Sequence, residues 1–218
     1  MRAVLLTALA MVAFAANSVL ARLAFATGGA EPLSYTGIRL ASGAIVLLLL
    51  LGLSQRSVPR TIAGSWRAAG SLFGYALAFS VAYIMLGAGT GALILFASVQ
   101  VGIFGWAILK GDRPGPLEWL GLAVALGAFA WLVSPGLVAP DPIGTVLMVG
   151  AGFCWAAYTL LGRDSQSPLV DTAGNFARTL PLAVVLLVVS LFSGPINPAA
   201  AAYAVASGAL ASGVGYAI

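Results

Sequence analysis

Histidine is absent from this chain, and the sequence contains a single cysteine, Cys154. The sequence therefore excludes histidine metal sites, histidine general bases, Ser-His and Cys-His dyads, and an internal disulfide. Charge is also scarce, since 7% of the residues are charged, whereas soluble domains carry about 25% to make a solvated shell. The one lysine and nine arginines are scattered, mostly through loops, without a basic run, which argues against a nucleic-acid partner.

Apolar sequence is abundant instead, with 61% of the residues hydrophobic. Residues 68–109 are 42 uncharged residues in succession, which as a helix would extend about 63 Å, enough for two crossings of a hydrocarbon core of about 30 Å. The segment "GAGTG" at 87–91 predicts the turn between them. The chain is therefore predicted to be an all-α polytopic membrane protein, with spans near 3–26, 33–53, 70–86, 91–109, 117–134, 143–162, 172–192 and from about 199.

The sequence contains an internal repeat. "FAANSVLAR" (14–22) matches "WAAYTLLGR" (155–163), and the two copies differ in chemistry only where Asn17 aligns with Tyr158. Downstream, "GIRLASGAIVLLLLLGL" (37–53) matches "FARTLPLAVVLLVVSLF" (176–192), and "ALAFSVAYI" (76–84) matches "ALASGVGYA" (209–217). The second pair of segments aligns Arg39 with Arg178, and the third pair aligns Tyr83 with Tyr216. Because the matches keep the same order in both halves, chance similarity of apolar residues is a poor explanation.

The two halves are expected to have opposite orientations in the membrane, because the matching first helices are five spans apart. Such inverted repeats are typical of secondary transporters that work by alternating access. The halves are predicted to be a five-helix repeat at 1–136 and an incomplete second repeat at 143–218. Since Ile218 aligns with Met85, we expect the chain to be a fragment that stops inside helix eight of a ten-helix protein.

The repeat also bears on the first span, where Ala-Phe-Ala at 13–15 looks like a signal-peptidase site. A near-copy of this stretch lies in mid-chain, which favours a retained helix over a removed signal. The positive-inside rule then predicts a cytoplasmic N-terminus. The side opposite the N-terminus holds at most Arg22, whereas the N-terminal side holds Arg2, Arg56, Arg60, Arg67, Lys110, Arg113 and Arg163.

The sequence resembles the EamA-type transporters of the drug/metabolite transporter (DMT) superfamily. "FAANSVLARLAF", "YTGIRLASGAI", "GTGALILFASVQVGIFGWAIL", "KGDRPGPLEWLGLAVALGAFAWLV" and "GFCWAAYTLLGR" carry the resemblance. It departs from the family at Asp112, where a glutamate is usual, at Glu118, where a glutamine is usual, and at Gln100, where a proline is frequent. The resemblance implies a ten-helix DMT-type fold around a central cavity lined by helices one, three, four, six, eight and nine. The known substrates of the superfamily include amino acids, other metabolites, nucleotide sugars and drugs. Bacterial EamA-type members are mostly exporters, so the resemblance implies a location in the bacterial inner (plasma) membrane.

Polar side chains in mid-membrane are expensive, so they are the candidates for substrate binding. Asn17 and Gln100 can each donate and accept hydrogen bonds; the alternative for both is an interhelical hydrogen bond. An aromatic set could form the walls of the site, or simply pack at the membrane boundary. Arg39 and Arg178 could bind a substrate carboxylate or act as a gate, or else snorkel to loop carbonyls, as is expected of Arg22 and Arg163. The aromatic candidates are Tyr83, Trp155, Tyr158 and Tyr216.

The leading hypothesis is a secondary transporter that exports a small metabolite, an amino acid or a related solute, across the bilayer without a cofactor or metal. A drug exporter of the same superfamily is the alternative, although no Asp or Glu lies deep in a span to serve proton–cation exchange. A non-transporting scaffold or channel is a third possibility. An intramembrane enzyme is disfavoured, because Ser212 and Cys154 have no histidine and Lys110 lies at a loop. Monomer and homodimer both remain open.

Overall fold

The computed structural model describes residues 2–26, 29–54, 63–134 and 139–215, and all regular structure in these ranges is helical. The first four helices, α1–α4, are Arg2–Ala26, Pro32–Ser54, Trp66–Leu86 and Ala88–Leu109. The next four, α5–α8, are Pro116–Val133, Pro142–Gly162, Pro168–Ser190 and Pro198–Ala206. A π-helical segment, Ser207–Val214, continues α8.

The helix ends follow from local sequence signals. The side chain of Ser65 accepts a hydrogen bond from the Ala68 amide at the start of α3, and Asp141 does the same for Gly144 at the start of α6. Between α3 and α4 the chain turns at Gly87 alone, whose φ of 71° suits a residue without a Cβ. The turn expected over 87–91 is therefore shorter than predicted, because 88–91 already form the first turn of α4.

Residue contacts fix the relative directions of the helices. In α2 and α3, Thr36 lies beside Ser80 and Arg39 beside Tyr75, so these helices are antiparallel. The same reasoning makes α2 antiparallel to α7, α3 to α6, and α1 to α8, while α4 runs parallel to α6. Consequently α1, α3 and α7 run in one direction and α2, α4, α6 and α8 in the other. We call the membrane side where α1 begins the N-terminal face.

Small residues allow the closest helix contacts. A methyl group built on Gly152 of α6 would come within 2.5 Å of the Ser98 Cβ of α4. Gly208 in the π-helical segment lies directly against the Arg39 carbonyl of α2, where a Cβ would overlap the backbone. Such close approach is the usual basis of helix association in membranes, where dispersion contacts replace the hydrophobic effect.

The apolar core lies among α1, α2, α3, α6, α7 and α8, whereas α4 contributes one face and the described side chains of α5 are exposed or half-exposed. In the part of the chain that the structure describes, five helices are long and apolar enough to cross a membrane: Pro32–Leu53, Trp66–Leu86, Ala88–Leu109, Pro142–Gly162 and Pro168–Ser190. Shorter apolar helical stretches cover Met11–Ala26 and Pro116–Ala128. The predicted all-helical class and these five spans are therefore confirmed, to within a few residues at each end.

Candidate functional site

Arg39 is the most deeply buried charged side chain in the described part of the chain, with 4% of its surface exposed. It lies two turns inside α2. Its Nη2 donates a hydrogen bond to the Tyr75 hydroxyl at 3.4 Å, and its Nε donates to the Ser212 hydroxyl at 3.4 Å. The guanidinium carbon is 5.5 Å from the Tyr75 ring centroid and 5.9 Å from that of Phe79, so the cation is also held over two aromatic rings.

Aromatic rings extend from Arg39 towards α6. The Tyr75 and Trp155 ring centroids are 4.7 Å apart, and Trp155 makes an edge contact with Phe14 of α1 at 5.2 Å. Phe96 of α4 reaches the same indole at 6.2 Å. Rings from four helices therefore meet at Trp155, beside the one buried cation among the described residues.

A second polar contact joins α1 to α8. The Ser207 hydroxyl donates a hydrogen bond to the Asn17 side-chain oxygen at 2.8 Å, and both residues are buried. This is the interhelical hydrogen bond considered as the alternative role of Asn17. Ser207 lies five residues before Ser212, so the π-helical continuation of α8 presents two hydroxyls to the same region. We call Asn17, Arg39, Tyr75, Trp155, Ser207 and Ser212 the central cluster.

Arg178 aligns with Arg39 in the sequence repeat but has a different environment. Its Nη1 donates hydrogen bonds to the Ala63 and Gly174 carbonyls, the second at 3.2 Å, and its guanidinium carbon lies 6.0 Å from the Trp66 ring centroid. Ala63 and Trp66 precede and begin α3, whereas Gly174 lies one turn earlier in α7. Of the three roles considered for this residue, contact with a loop carbonyl is the one that the geometry shows.

The same loop is held by two further residues of α7. The Asp171 carboxylate accepts a hydrogen bond from the Gly64 amide at 3.1 Å, and the Asn175 side-chain oxygen accepts one from the Ser65 amide at 2.9 Å. Gly174 lies directly against the Ala63 carbonyl. Residues 63–65, together with Asp171, Asn175 and Arg178, form what we call the clamp, and it joins the two halves of the chain at the N-terminal face.

The remaining sequence candidates lie at the edges of these two groups. The Tyr83 hydroxyl donates to the Ser18 carbonyl at 3.0 Å, one helical turn beyond Phe79. Tyr158 is buried and interacts with Thr172 and Asn175, so it belongs beside the clamp and not beside Trp155. Gln100 is half-exposed one turn after Phe96 on the same side of α4. Tyr216 lies outside the described residues.

The sequence candidates thus do not form one group in the fold. Trp155 lies in the central cluster, whereas Tyr158 lies beside the clamp. Tyr75 was missed, although Tyr75, Phe79 and Tyr83 recur every four residues and so mark one aromatic face of α3. Ser207, Asp171 and Asn175 were also missed, because hydroxyl and amide residues near helix ends carry no distinctive spacing. Within the described ranges no group of three or more His, Cys, Asp or Glu residues is arranged to hold a metal ion.

No family model matches this chain. This chain is 48% identical over 218 residues to Uncharacterized protein PA1977 of Pseudomonas aeruginosa. The alignment covers all of this chain and 75% of that protein. The chain belongs to the family of that protein.

More distant relatives carry transporter names. The chain is 26% identical over 177 residues to Uncharacterized inner membrane transporter YedA of Escherichia coli, and 30% identical over 173 residues to Uncharacterized transporter YwfM of Bacillus subtilis. Each alignment covers 75% of this chain, but only 54% of the first relative and 58% of the second. These similarities support a membrane transporter in general.

The fold also occurs in a solved structure. A crystal structure of another protein superposes with a TM-score of 0.70 at 20% sequence identity, covering 96% of this chain and 78% of that chain. At this level of identity the similarity concerns the fold alone.

Proposed function

We propose that this chain belongs to an EamA-type secondary transporter that moves an amino acid or a related small carboxylate out of the cell by alternating access. The observation that carries the proposal is the environment of Arg39, a buried cation in mid-membrane that faces hydroxyls and aromatic rings from α3 and α8. Intramembrane charges of this kind face the bundle interior and mark substrate or ion pathways.

The chemistry around Arg39 suits a ligand with one carboxylate and an apolar body. The planar guanidinium group can bind a carboxylate through two parallel hydrogen bonds, which a lysine cannot do. The Trp155, Tyr75 and Phe79 rings then provide an apolar surface for the remainder of the solute. Asn17 and Ser207, the neighbouring polar pair, would bind an amino group through the asparagine oxygen.

The two membrane faces differ in how tightly the halves are joined, which suits a gate. At the N-terminal face the clamp connects α7 to the start of α3 through side chains from three positions. At the opposite face, the turns before α2 and before α8 flank a cavity of about 150 Å³ lined by Glu31, Ser34, Ser190 and Asn197 among others. We assign this arrangement to a state closed at the N-terminal face, and transport would require the clamp to open.

The inverted repeat is supported by helix packing. In the proposed correspondence, α1, α2 and α3 match α6, α7 and α8, and each pair runs in opposite directions. The α3–α6 contact then corresponds to α8 against α1, and both are present: Gly74 lies by Cys154, and Asn17 by Ser207. A cytoplasmic N-terminus is proposed because the basic residues Arg67, Lys110 and Arg163 lie at helix ends on the N-terminal face.

Counterflow in proteoliposomes tests the function. The full protein is reconstituted in vesicles preloaded with an unlabelled amino acid, and uptake of the same ¹⁴C-labelled amino acid is followed for a panel of amino acids. We expect transient accumulation for at least one with an apolar side chain, and its loss in Arg39→Gln. Leakage without counterflow would identify a channel, and counterflow only with cationic drugs would identify a drug exporter; either result contradicts the proposal.

A further inference from the structure

The C-terminal halves of α4 and α6 form an open groove at the N-terminal face. The two parallel helices are in close contact at Gly102, where a methyl group would come within 2.8 Å of the Ala156 Cβ. Towards the N-terminal face, side chains from both helices flank a cavity of about 410 Å³. We call this cavity the α4–α6 groove; its walls include Gly102, Trp106, Phe153, Ala156 and Leu160, and its rim includes Lys110.

The walls of the groove are apolar and its length matches one lipid leaflet. From Gly102 to Lys110 the helix rises about 12 Å, which is most of one half of a hydrocarbon core of about 30 Å. Trp106 and Phe153 are both more than one third exposed although they lie on membrane-spanning helices. An exposed apolar surface at this depth requires an apolar occupant, and an acyl chain has that chemistry.

The rim adds charge at the level of the lipid headgroups. The Lys110 ammonium group lies 4.9 Å from the Trp106 ring centroid, which holds it over the mouth of the groove. Arg163 lies on the other side of the mouth, where its Nε contacts one Asp164 oxygen at 3.3 Å. Both helices end here, so their dipoles place partial negative charge at the rim. Lys110 and Arg163 offset this charge together with the charge of Asp164.

We propose that the α4–α6 groove binds an anionic phospholipid, with one acyl chain against Trp106 and Phe153 and the headgroup phosphate at Lys110 and Arg163. Cations near an anionic headgroup favour it over a zwitterionic one, whereas the apolar walls alone would accept both equally. The charge of the rim therefore decides between a selective site and ordinary lipid contact. This inference is independent of which solute the central cluster takes.

Quenching of Trp106 fluorescence tests the site in the full protein reconstituted in nanodiscs. Dibrominated phosphatidylglycerol or dibrominated phosphatidylcholine is titrated in, and the part of the quenching that is lost in Trp106→Phe is taken as the signal of the groove. We expect half-maximal quenching at a mole fraction about fivefold lower for phosphatidylglycerol. Equal values for the two lipids, or no quenching by either because another segment covers the groove, would overturn the proposal.

Two variants at the rim and one outside the groove separate charge from shape. Lys110→Gln is expected to remove most of the preference for phosphatidylglycerol, and Asp164→Asn to increase it. Arg113→Gln, a loss of the same charge outside the groove, is the matched control and should leave the preference unchanged. If Arg113→Gln acts as strongly as Lys110→Gln, or if Asp164→Asn has no effect, the lipid is attracted by the overall charge of this face and the site does not exist.

Discussion

The guanidinium group of Arg39 lies over the ring of Tyr75 and also donates a hydrogen bond to its hydroxyl group, so one aromatic residue of α3 holds the buried cation of α2 in two ways. The contact joins neighbouring helices of the first half. Ser212, which contacts the same guanidinium group, comes from the second half. Any movement between the two halves would therefore alter the environment of this charge, which makes Arg39 the first residue to test.

We expect Arg39→Lys to raise the KM of counterflow by about tenfold to a hundredfold, because a hydrogen bond to a charged group contributes about 1.5–3 kcal/mol and the ammonium group cannot bind a carboxylate in bidentate fashion. The matched control is Arg113→Lys, which alters an exposed cation outside both the central cluster and the clamp. Its KM should stay near that of the unmodified protein. An equal rise in KM for both variants would mean that Arg39 does not bind the substrate.

Asn175→Ala should loosen the clamp, because it leaves the Ser65 amide without its acceptor, at a cost of about 1–3 kcal/mol. Cys154 is half-buried against Gly74 of α3 and reports on access to the α3–α6 interface, to which Tyr75 and Trp155 also belong. A membrane-impermeant thiol reagent applied from the N-terminal face should label it about fivefold faster or more. Asn197→Ala, which alters a helix cap at the opposite face, is the control. Unchanged labelling in Asn175→Ala would show that the clamp is not a gate.

Gly152→Ala and Gly150→Ala compare two positions of α6 that differ only in their surroundings. The added methyl group meets Ser98 in the first case and open space in the second. We expect Gly152→Ala to lower the free energy of unfolding by about 1–3 kcal/mol through overpacking, and Gly150→Ala to leave it unchanged or raise it slightly. Denaturation by SDS in mixed micelles measures both. Similar stability of the two variants would contradict the α4–α6 contact.

The hydrogen bond between Ser207 and Asn17 is best measured by a double-mutant cycle with Ser207→Ala and Asn17→Ala. Hydrogen bonds between membrane helices contribute about 0.6 kcal/mol on average and at most about 2 kcal/mol. We expect a coupling energy in this range from the unfolding free energies of the four proteins. Asn17→Ala combined with Ser190→Ala, a buried serine bonded within α7, should show additive effects. Additivity in the first cycle as well would exclude the α1–α8 contact.

Membrane orientation can be tested with single cysteines placed at the two faces in a Cys154→Ala background. Arg113→Cys lies in the loop after α4 and Asn197→Cys precedes α8, and both positions are exposed. If the N-terminus is cytoplasmic, an impermeant maleimide added to intact cells labels only Asn197→Cys, and Arg113→Cys reacts after permeabilisation. The reverse pattern would refute the orientation proposed from the positive-inside rule.

Much of the fold was predictable because the length of an apolar run determines whether it crosses a membrane. The division of 68–109 into two helices required only the glycine-rich sequence near Gly87 and the known rise of a helix. The candidate site was less predictable. Trp155 and Tyr158 lie three residues apart, yet one meets Tyr75 in the central cluster and the other meets α7 beside the clamp. Neighbours on one helix thus serve different groups when different helices pack against them.

The sequence by itself determined the all-helical class, the main spans and the rarity of charge within them, because hydropathy depends only on the order of residues along the chain. Only the tertiary structure decided what each buried polar group contacts. Arg39 and Arg178 occupy matching places in the repeat, but one is held by Tyr75 and Ser212 and the other by the carbonyls of Ala63 and Gly174. Whether Arg39 or Arg178 faces the interior depends on how each helix is rotated and how closely its neighbours approach. Packing at residues such as Gly208 sets both the rotation and the approach.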